Sequence, residues 1–135
     1  MPKYESTEQL YAVLGNTWRK AFEQEDIARK FKSLGIYVHF IVHEPEGELW
    51  LMPDATVHEG AWDGTPDRPE VRMEMKADIA HKFWMDRLNV PMATAKGDIK
   101  AKGPVSKIFS LLPVIKPAKK YYPEIARANG VNLEV

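Results

Sequence analysis

Residues 70–112, EVRMEMKADIAHKFWMDRLNVPMATAKGDIKAKGPVSKIFSLL, decide the fold expected of this chain, because the hydrophobic period changes several times within them. From Glu70 to Lys76 the side chains alternate. Val71, Met73 and Met75 face one way and Glu70, Arg72, Glu74 and Lys76 the other, which is the pattern of a strand with one wet face. Asp78 is placed to cap a helix running to about Leu88, with Ile79, Ala80, Phe83, Trp84 and Leu88 as its apolar stripe. Asn89 followed by Pro91 would end that helix. Ala93, Ala95, Gly97, Ile99 and Ala101 then alternate with Thr94, Lys96, Asp98, Lys100 and Lys102. This predicts another strand, whose small inward side chains leave room above the sheet. After Gly103-Pro104, the residues Val105, Ile108, Phe109, Leu111 and Leu112 read as a short apolar helix interrupted by Pro113. Pro117 can open a last helix through Ile125, closed by Asn129-Gly130.

Working upstream, Ser6-Thr7-Glu8-Gln9 fits a capping box, and Leu10, Leu14, Thr17, Trp18, Ala21 and Phe22 follow at helical spacing. Asp26 can cap a second helix carrying Ile27, Phe31 and Leu34, which Gly35 would end. Ile36, Val38, Phe40 and Val42 then alternate with Tyr37, His39, Ile41 and His43, predicting a strand. Glu44-Pro45-Glu46-Gly47 is turn chemistry, and Glu48 to Met52 follows as an antiparallel partner. Ala55 to Glu59 can be a third short strand. Gly60 to Pro69 reads as a loop, with Trp62 folding back onto the core.

The chain has 135 residues, 44% hydrophobic and 28% charged, consistent with one domain over residues 1–135 and incompatible with disorder. Lys plus Arg equals Asp plus Glu at 19 each, so no overall basic excess points to nucleic acid. The absence of cysteine removes disulfides, thiolate catalysis and cysteine-based metal sites together. The N-terminus is polar, and no apolar run reaches the ~18 residues of a membrane span, so a cytoplasmic protein is expected.

The chain carries few signs of catalytic chemistry. There is no Gly-rich phosphate loop, no GxSxG elbow and no HExxH helix. His39 and His43 share a strand face, but they lie about 13 Å apart, too far for one metal ion, and solvent-facing strand histidines are the expectation. His58 and His81 have no partner at ligand spacing. Neither a metal nor a cofactor is expected, and no residue stands out as a catalytic base. What remains is an apolar surplus in the second half. A sheet face of small residues under two apolar helices would enclose a cavity.

From Glu70 onward the chain resembles the sterol carrier protein family of the type-two, non-specific lipid-transfer class. The likeness lies in an alternating strand (EVRMEMKAD), an acidic cap and helix (IAHKFWMDRLN), a strand bracketed by glycines (AKGDIKAKG) and an apolar helix (SKIFSLLP). The family's basic-Leu pair reads Arg87-Leu88, although Asp86 stands where members often have Gly, and its Gly-flanked pattern reads Gly97 to Gly103. The motif covers residues 70–112, and the order of elements matches over about residues 6–128. Peroxisomal members end in a Ser-Lys-Leu type signal, whereas this chain ends in Asn132-Leu133-Glu134-Val135.

The resemblance implies an α+β fold in which helices cover a five-stranded, predominantly antiparallel sheet and a hydrophobic tunnel runs between them. It implies a non-catalytic function, the binding and transfer of a fatty acid, acyl-CoA, phospholipid or sterol-like lipid. The alternative is an accessory protein that presents a hydrophobic substrate to a lipid- or quinone-metabolising enzyme. An enzyme using His81 or Asp78 as base ranks last, because acid–base catalysis needs a positioned, pKa-shifted group. Ten buried methylenes at about 0.8 kcal/mol each would yield roughly 8 kcal/mol, or about micromolar affinity, without polar recognition.

Face assignment places Phe40, Leu51, Met73, Met75, Phe83, Trp84, Ile99, Phe109, Leu112 and Ile115 on the lining. Lys96 to Lys120 holds seven lysines and one acid, Asp98. Of these, Lys107, Lys116, Lys119 and Lys120 are expected to meet an anionic membrane surface or an acyl-CoA head group.

Overall fold

The first helix begins where the Ser6 hydroxyl accepts from the Gln9 amide at 3.0 Å. Gln9 closes the cap one residue further out than a capping box does, its side-chain oxygen accepting from the Glu5 amide at 2.7 Å. The computed structural model describes residues 3–135. Helix α1 (Thr7–Leu10) passes through a π-helical turn at Tyr11–Gly15 into α2 (Asn16–Phe22). Helix α3 (Glu25–Leu34) takes Gln24 as its extended leading residue. Asp26 is therefore not the cap but lies in the first turn, where an acid favours the helix dipole. Gly35 ends α3 at φ 60°, a left-handed conformation that glycine adopts without a Cβ clash.

Five strands follow, β1 (Tyr37–His43), β2 (Gly47–Leu51), β3 (Val57–Glu59), β4 (Glu70–Lys76) and β5 (Ile99–Lys102), in the spatial order β3-β2-β1-β4-β5. Only the central β1–β4 pair is parallel, so the sheet is predominantly antiparallel. Register puts Leu51, Val38 and Val71 in one row across the sheet, and Leu49, Phe40, Met73 and Ala101 in the next. Val42, Met75 and Ile99 form a third row on the same face. Helices cover that face. Its core includes Leu10, Trp18, Phe31, Ile36, Leu49 and Leu51, all 1% exposed or less.

The opposite face is not simply wet. Trp50 stacks on His39 with ring centroids 3.9 Å apart, and Trp62 lies over Tyr37 at 5.2 Å. The loop tryptophan thus folds back onto this second face, not onto the core. His39 is only 6% exposed, which corrects the expectation of a solvent-facing histidine. Its Nε2 lies 2.8 Å from Glu48 Oε1. Nδ1 is 3.4 Å from Glu70 Oε2, outside hydrogen-bonding geometry, and is left without a partner.

After β4 the chain departs furthest from the reading by period. Helix α4 (Ala77–Trp84) follows Lys76 directly, and Asp78, in its first turn, accepts the Lys3 amide at 2.8 Å instead of capping. The helix stops short of Leu88, because Asp86 adopts φ 62°. Residues 93–97 are not strand. Asn89 caps α5 (Val90–Ala95), accepting from the Met92 amide at 3.0 Å, with Pro91 in the first turn and Gly97 at φ 84° beyond its end. Alanine's helix preference and these caps outweigh the period-two pattern, which only Ile99 to Lys102 keeps.

Helix α6 (Val105–Ser110) and α7 (Leu112–Ala118) are joined through Leu111, itself right-handed helical. Pro113 falls in the first turn of α7, where a proline costs nothing, so the run is hardly interrupted. A 3₁₀ turn (Lys119–Tyr121) and α8 (Tyr122–Ala128) complete the cover. No helix among the described residues is long and apolar enough to cross a membrane.

Candidate functional site

Between the inner sheet face and the helices lies an apolar cavity. Phe40, Val42, Leu49, Met73, Met75 and Ile99 form its sheet wall. Leu14 and Trp18 close it from the first helical run, Ala80, Phe83 and Trp84 from α4, Val90 from α5 and Ile115 from α7. Every lining side chain is hydrophobic. Trp18 stands at the centre, stacked on Phe40 at 6.0 Å and edge-on to Trp84 at 5.3 Å. Val90, 38% exposed, marks a place where the wall reaches the surface. The cavity measures about 40 Å³. Pockets that engulf drug-sized ligands hold about 300–1,000 Å³, so an acyl chain could enter only if the wall yields.

Of the residues assigned to the lining from sequence, Phe40, Met73, Met75, Phe83, Trp84, Ile99 and Ile115 border this cavity. Leu51 does not. It pairs with Val38, one row beyond the cavity, and is wholly buried in the core. Phe109 and Leu112 do not either, and are 65% and 55% exposed. On the α6–α7 run the inward positions are Leu111, Val114, Ile115 and Ala118, all 5% exposed or less, and helical spacing turns Phe109 and Leu112 outward.

The sequence reading missed Leu14, Trp18, Val42, Leu49, Ala80 and Val90. For all but Val90 the signal was present, since Leu14, Trp18, Val42 and Ala80 lie on apolar faces already identified and Leu49 shares its strand face with Leu51. Val90 sits on the helix that the alternation concealed.

The four lysines do not converge. Lys107 Nζ donates to the Leu34 carbonyl at 2.9 Å. Lys119 pairs with Asp86 at 3.1 Å, and its ammonium lies 4.3 Å from the centre of the Phe83 ring. Lys120 lies over Tyr121 at 5.1 Å, and Lys116 is exposed. Lys119 is the one of these four that touches a lining residue.

Behind the cavity wall, His81 is 1% exposed. Its Nε2 lies 3.3 Å from the Leu133 carbonyl, which can only accept, so this nitrogen carries the proton. Nδ1 then accepts from the Tyr122 hydroxyl at 2.6 Å, and Tyr122 accepts from Tyr4 at 2.6 Å. Burial pushes both tyrosine hydroxyls to a higher pKa and lowers that of His81. With its lone pair occupied and no access from solvent, His81 is arranged to hold α4, α8 and the chain ends together. Asp78 is exposed and bound to the Lys3 amide. No cluster of three or more metal-ligating side chains occurs among the described residues.

No family model matches the sequence, and neither does any curated protein. Solved structures do match. The sterol carrier protein domain 2 of Helicoverpa armigera superposes with a TM-score of 0.64 at 16% identity, covering 89% of this chain and 95% of that one. Sterol carrier protein 2 from Yarrowia lipolytica, in its apo form, gives 0.62 at 14% identity over 87% and 96%. The UbiJ-SCP2 ubiquinone synthesis protein gives 0.55 at 16% identity over 84% and 91%. The helix-covered sheet that encloses this cavity is therefore the fold of the sterol carrier protein type-two domains.

Proposed function

We propose that this chain is a non-catalytic carrier of a hydrophobic ligand, a fatty acid, acyl-CoA, phospholipid or sterol-like lipid, held in the cavity between sheet and helices. The observation that carries this reading is a lining made only of hydrophobic side chains, including four aromatic ones and two methionines. Such a wall offers no acid, base or nucleophile to a bound molecule, while each methylene it covers adds about 0.8 kcal/mol. Methionine side chains adapt to varied shapes, which suits a ligand defined by apolar bulk more than by polar groups. The small closed volume fits a cavity that opens around its ligand.

Native mass spectrometry of the purified protein, followed by titration with a fluorescent fatty acid, tests the proposal. A bound lipid mass or saturable micromolar binding is expected. A clean unliganded spectrum together with no binding of fatty acid, acyl-CoA, phospholipid or sterol probes would overturn it. A second reading, presentation of a hydrophobic substrate to a partner enzyme, is favoured by the likeness to a ubiquinone synthesis protein. Unaided transfer of the labelled lipid between vesicles separates the two, since a dedicated presenter releases its cargo only to its enzyme.

A further inference from the structure

The outward side of the α6–α7 run is inverted in polarity. A helix covering a sheet ordinarily turns polar side chains to water. Here Val105, Phe109 and Leu112 are 65%, 65% and 55% exposed. Their spacing of four and three residues sets them on one stripe of a continuous helical run. Lys116, four residues past Leu112, extends the same stripe and is exposed. Lys120, just after the run, is exposed as well. Neither of these two lysines forms an ion pair with a described residue, and from Gly103 to Lys120 the chain has no acidic residue. The reverse side of the same run supplies Ile115 to the cavity wall.

The geometry points to this stripe as a docking surface for an anionic lipid bilayer, with Phe109 and Leu112 entering the interface and Lys116 and Lys120 meeting lipid phosphates. Apolar side chains bordered by unpaired cations match a surface that is apolar below and negative above. A second copy of the chain is a poor occupant, because it would oppose the same lysines without an acid to answer them. The inference rests on the carrier reading for its purpose: the segment that meets the membrane is also a wall of the cavity, so the wall that must yield is the one the bilayer touches.

Flotation with phosphatidylcholine vesicles, with and without 30 mol% phosphatidylglycerol, tests it. At ~0.1 M salt, where screening acts over about 10 Å, binding to the anionic vesicles should be at least tenfold tighter than to neutral ones and should weaken as salt rises. Phe109→Ser with Leu112→Ser should reduce that binding at least tenfold while leaving the melting temperature and fatty-acid titration unchanged. Lys116→Gln with Lys120→Gln should flatten the salt dependence. Equal binding to both vesicle types, or binding indifferent to the Phe109 and Leu112 changes, overturns the proposal. So does a wild-type dimer that the same changes dissociate. Fatty-acid binding without vesicle binding defeats the docking surface alone, and vesicle binding without any lipid in the cavity defeats the carrier reading alone.

Discussion

His43 and His81 respond to acid in opposite directions. His43 sits between Glu46 and Glu74, at 2.7 and 2.6 Å, and hydrogen bonds to these carboxylates raise its pKa above the usual 6.5. Its folded form holds the proton more tightly than the unfolded chain does. The stabilisation is therefore complete below about pH 6.5 and is lost as the pH climbs through the raised value. Burial lowers the pKa of His81, so its contribution is present above about pH 6.5 and is lost as the pH falls through the depressed value. Between pH 7.5 and 5.5, denaturant titrations of His43→Gln should show a steeper loss of stability on acidification than wild type. His81→Gln, though less stable throughout, should show a shallower one. Neither behaviour was legible in the sequence, because Glu74 reaches His43 only through the β1–β4 pairing.

Among the elements, the turn into α6 depends on a single glycine. Gly103 has φ 134°, and a Cβ there would stand 2.7 Å from the Glu70 carbonyl oxygen and 3.1 Å from Val71 Cα, both backbone atoms. Neither can move aside without disturbing β4. Gly103→Ala should cost about 2 kcal/mol, read as a lower denaturation midpoint. At the other end of the cover, Lys119 straps Phe83 to Asp86. Asp86→Asn keeps a residue that tolerates the left-handed conformation and removes the charge. Such a half-exposed pair is worth about 0.5 kcal/mol, so ligand uptake in stopped flow should accelerate roughly twofold.

Strands β1 and β4 were readable because long alternations of β-branched residues and methionine have no competing period. Residues 93–97 were not, because alanine alternating with polar residues satisfies a short helix as well as a strand. The decision fell to Asn89, whose capping role shows only when its side chain is seen on the Met92 amide. The same limit misplaced Phe109 and Leu112. Once Pro113 is counted as a first-turn residue, the spacing of Leu111, Val114, Ile115 and Ala118 identifies the inward stripe and leaves the other two outside.

For the molecule as a whole, the narrow cavity sets the behaviour on loading. Ala80 is 3% exposed and lines the wall. Ala80→Leu should occupy the space, weaken fatty-acid binding at least tenfold and change stability by about 1–3 kcal/mol. Wild type with ligand at a hundred times its Kd should gain about 2.7 kcal/mol, measured as a raised denaturation midpoint. An unchanged affinity in a folded Ala80→Leu protein would place the ligand elsewhere.

The parallel pair at the middle of the sheet also governs how the chain can assemble. Strands β1 and β2 are joined by a short turn and can zip early, yet the other side of β1 must wait for β4, which arrives only after β3 and the loop that carries Trp62. The ends of the long loop between β1 and β4 must meet before any contact across that seam is gained. Until then Val38, Phe40 and Val42 have one sheet neighbour instead of two, and the nascent hairpin presents an unpaired apolar edge. The step that commits the chain to its native form is therefore the capture of β4. Damage to Val71 or Gly103 should slow refolding, whereas damage to the strap between Lys119 and Asp86 should act on the finished protein alone.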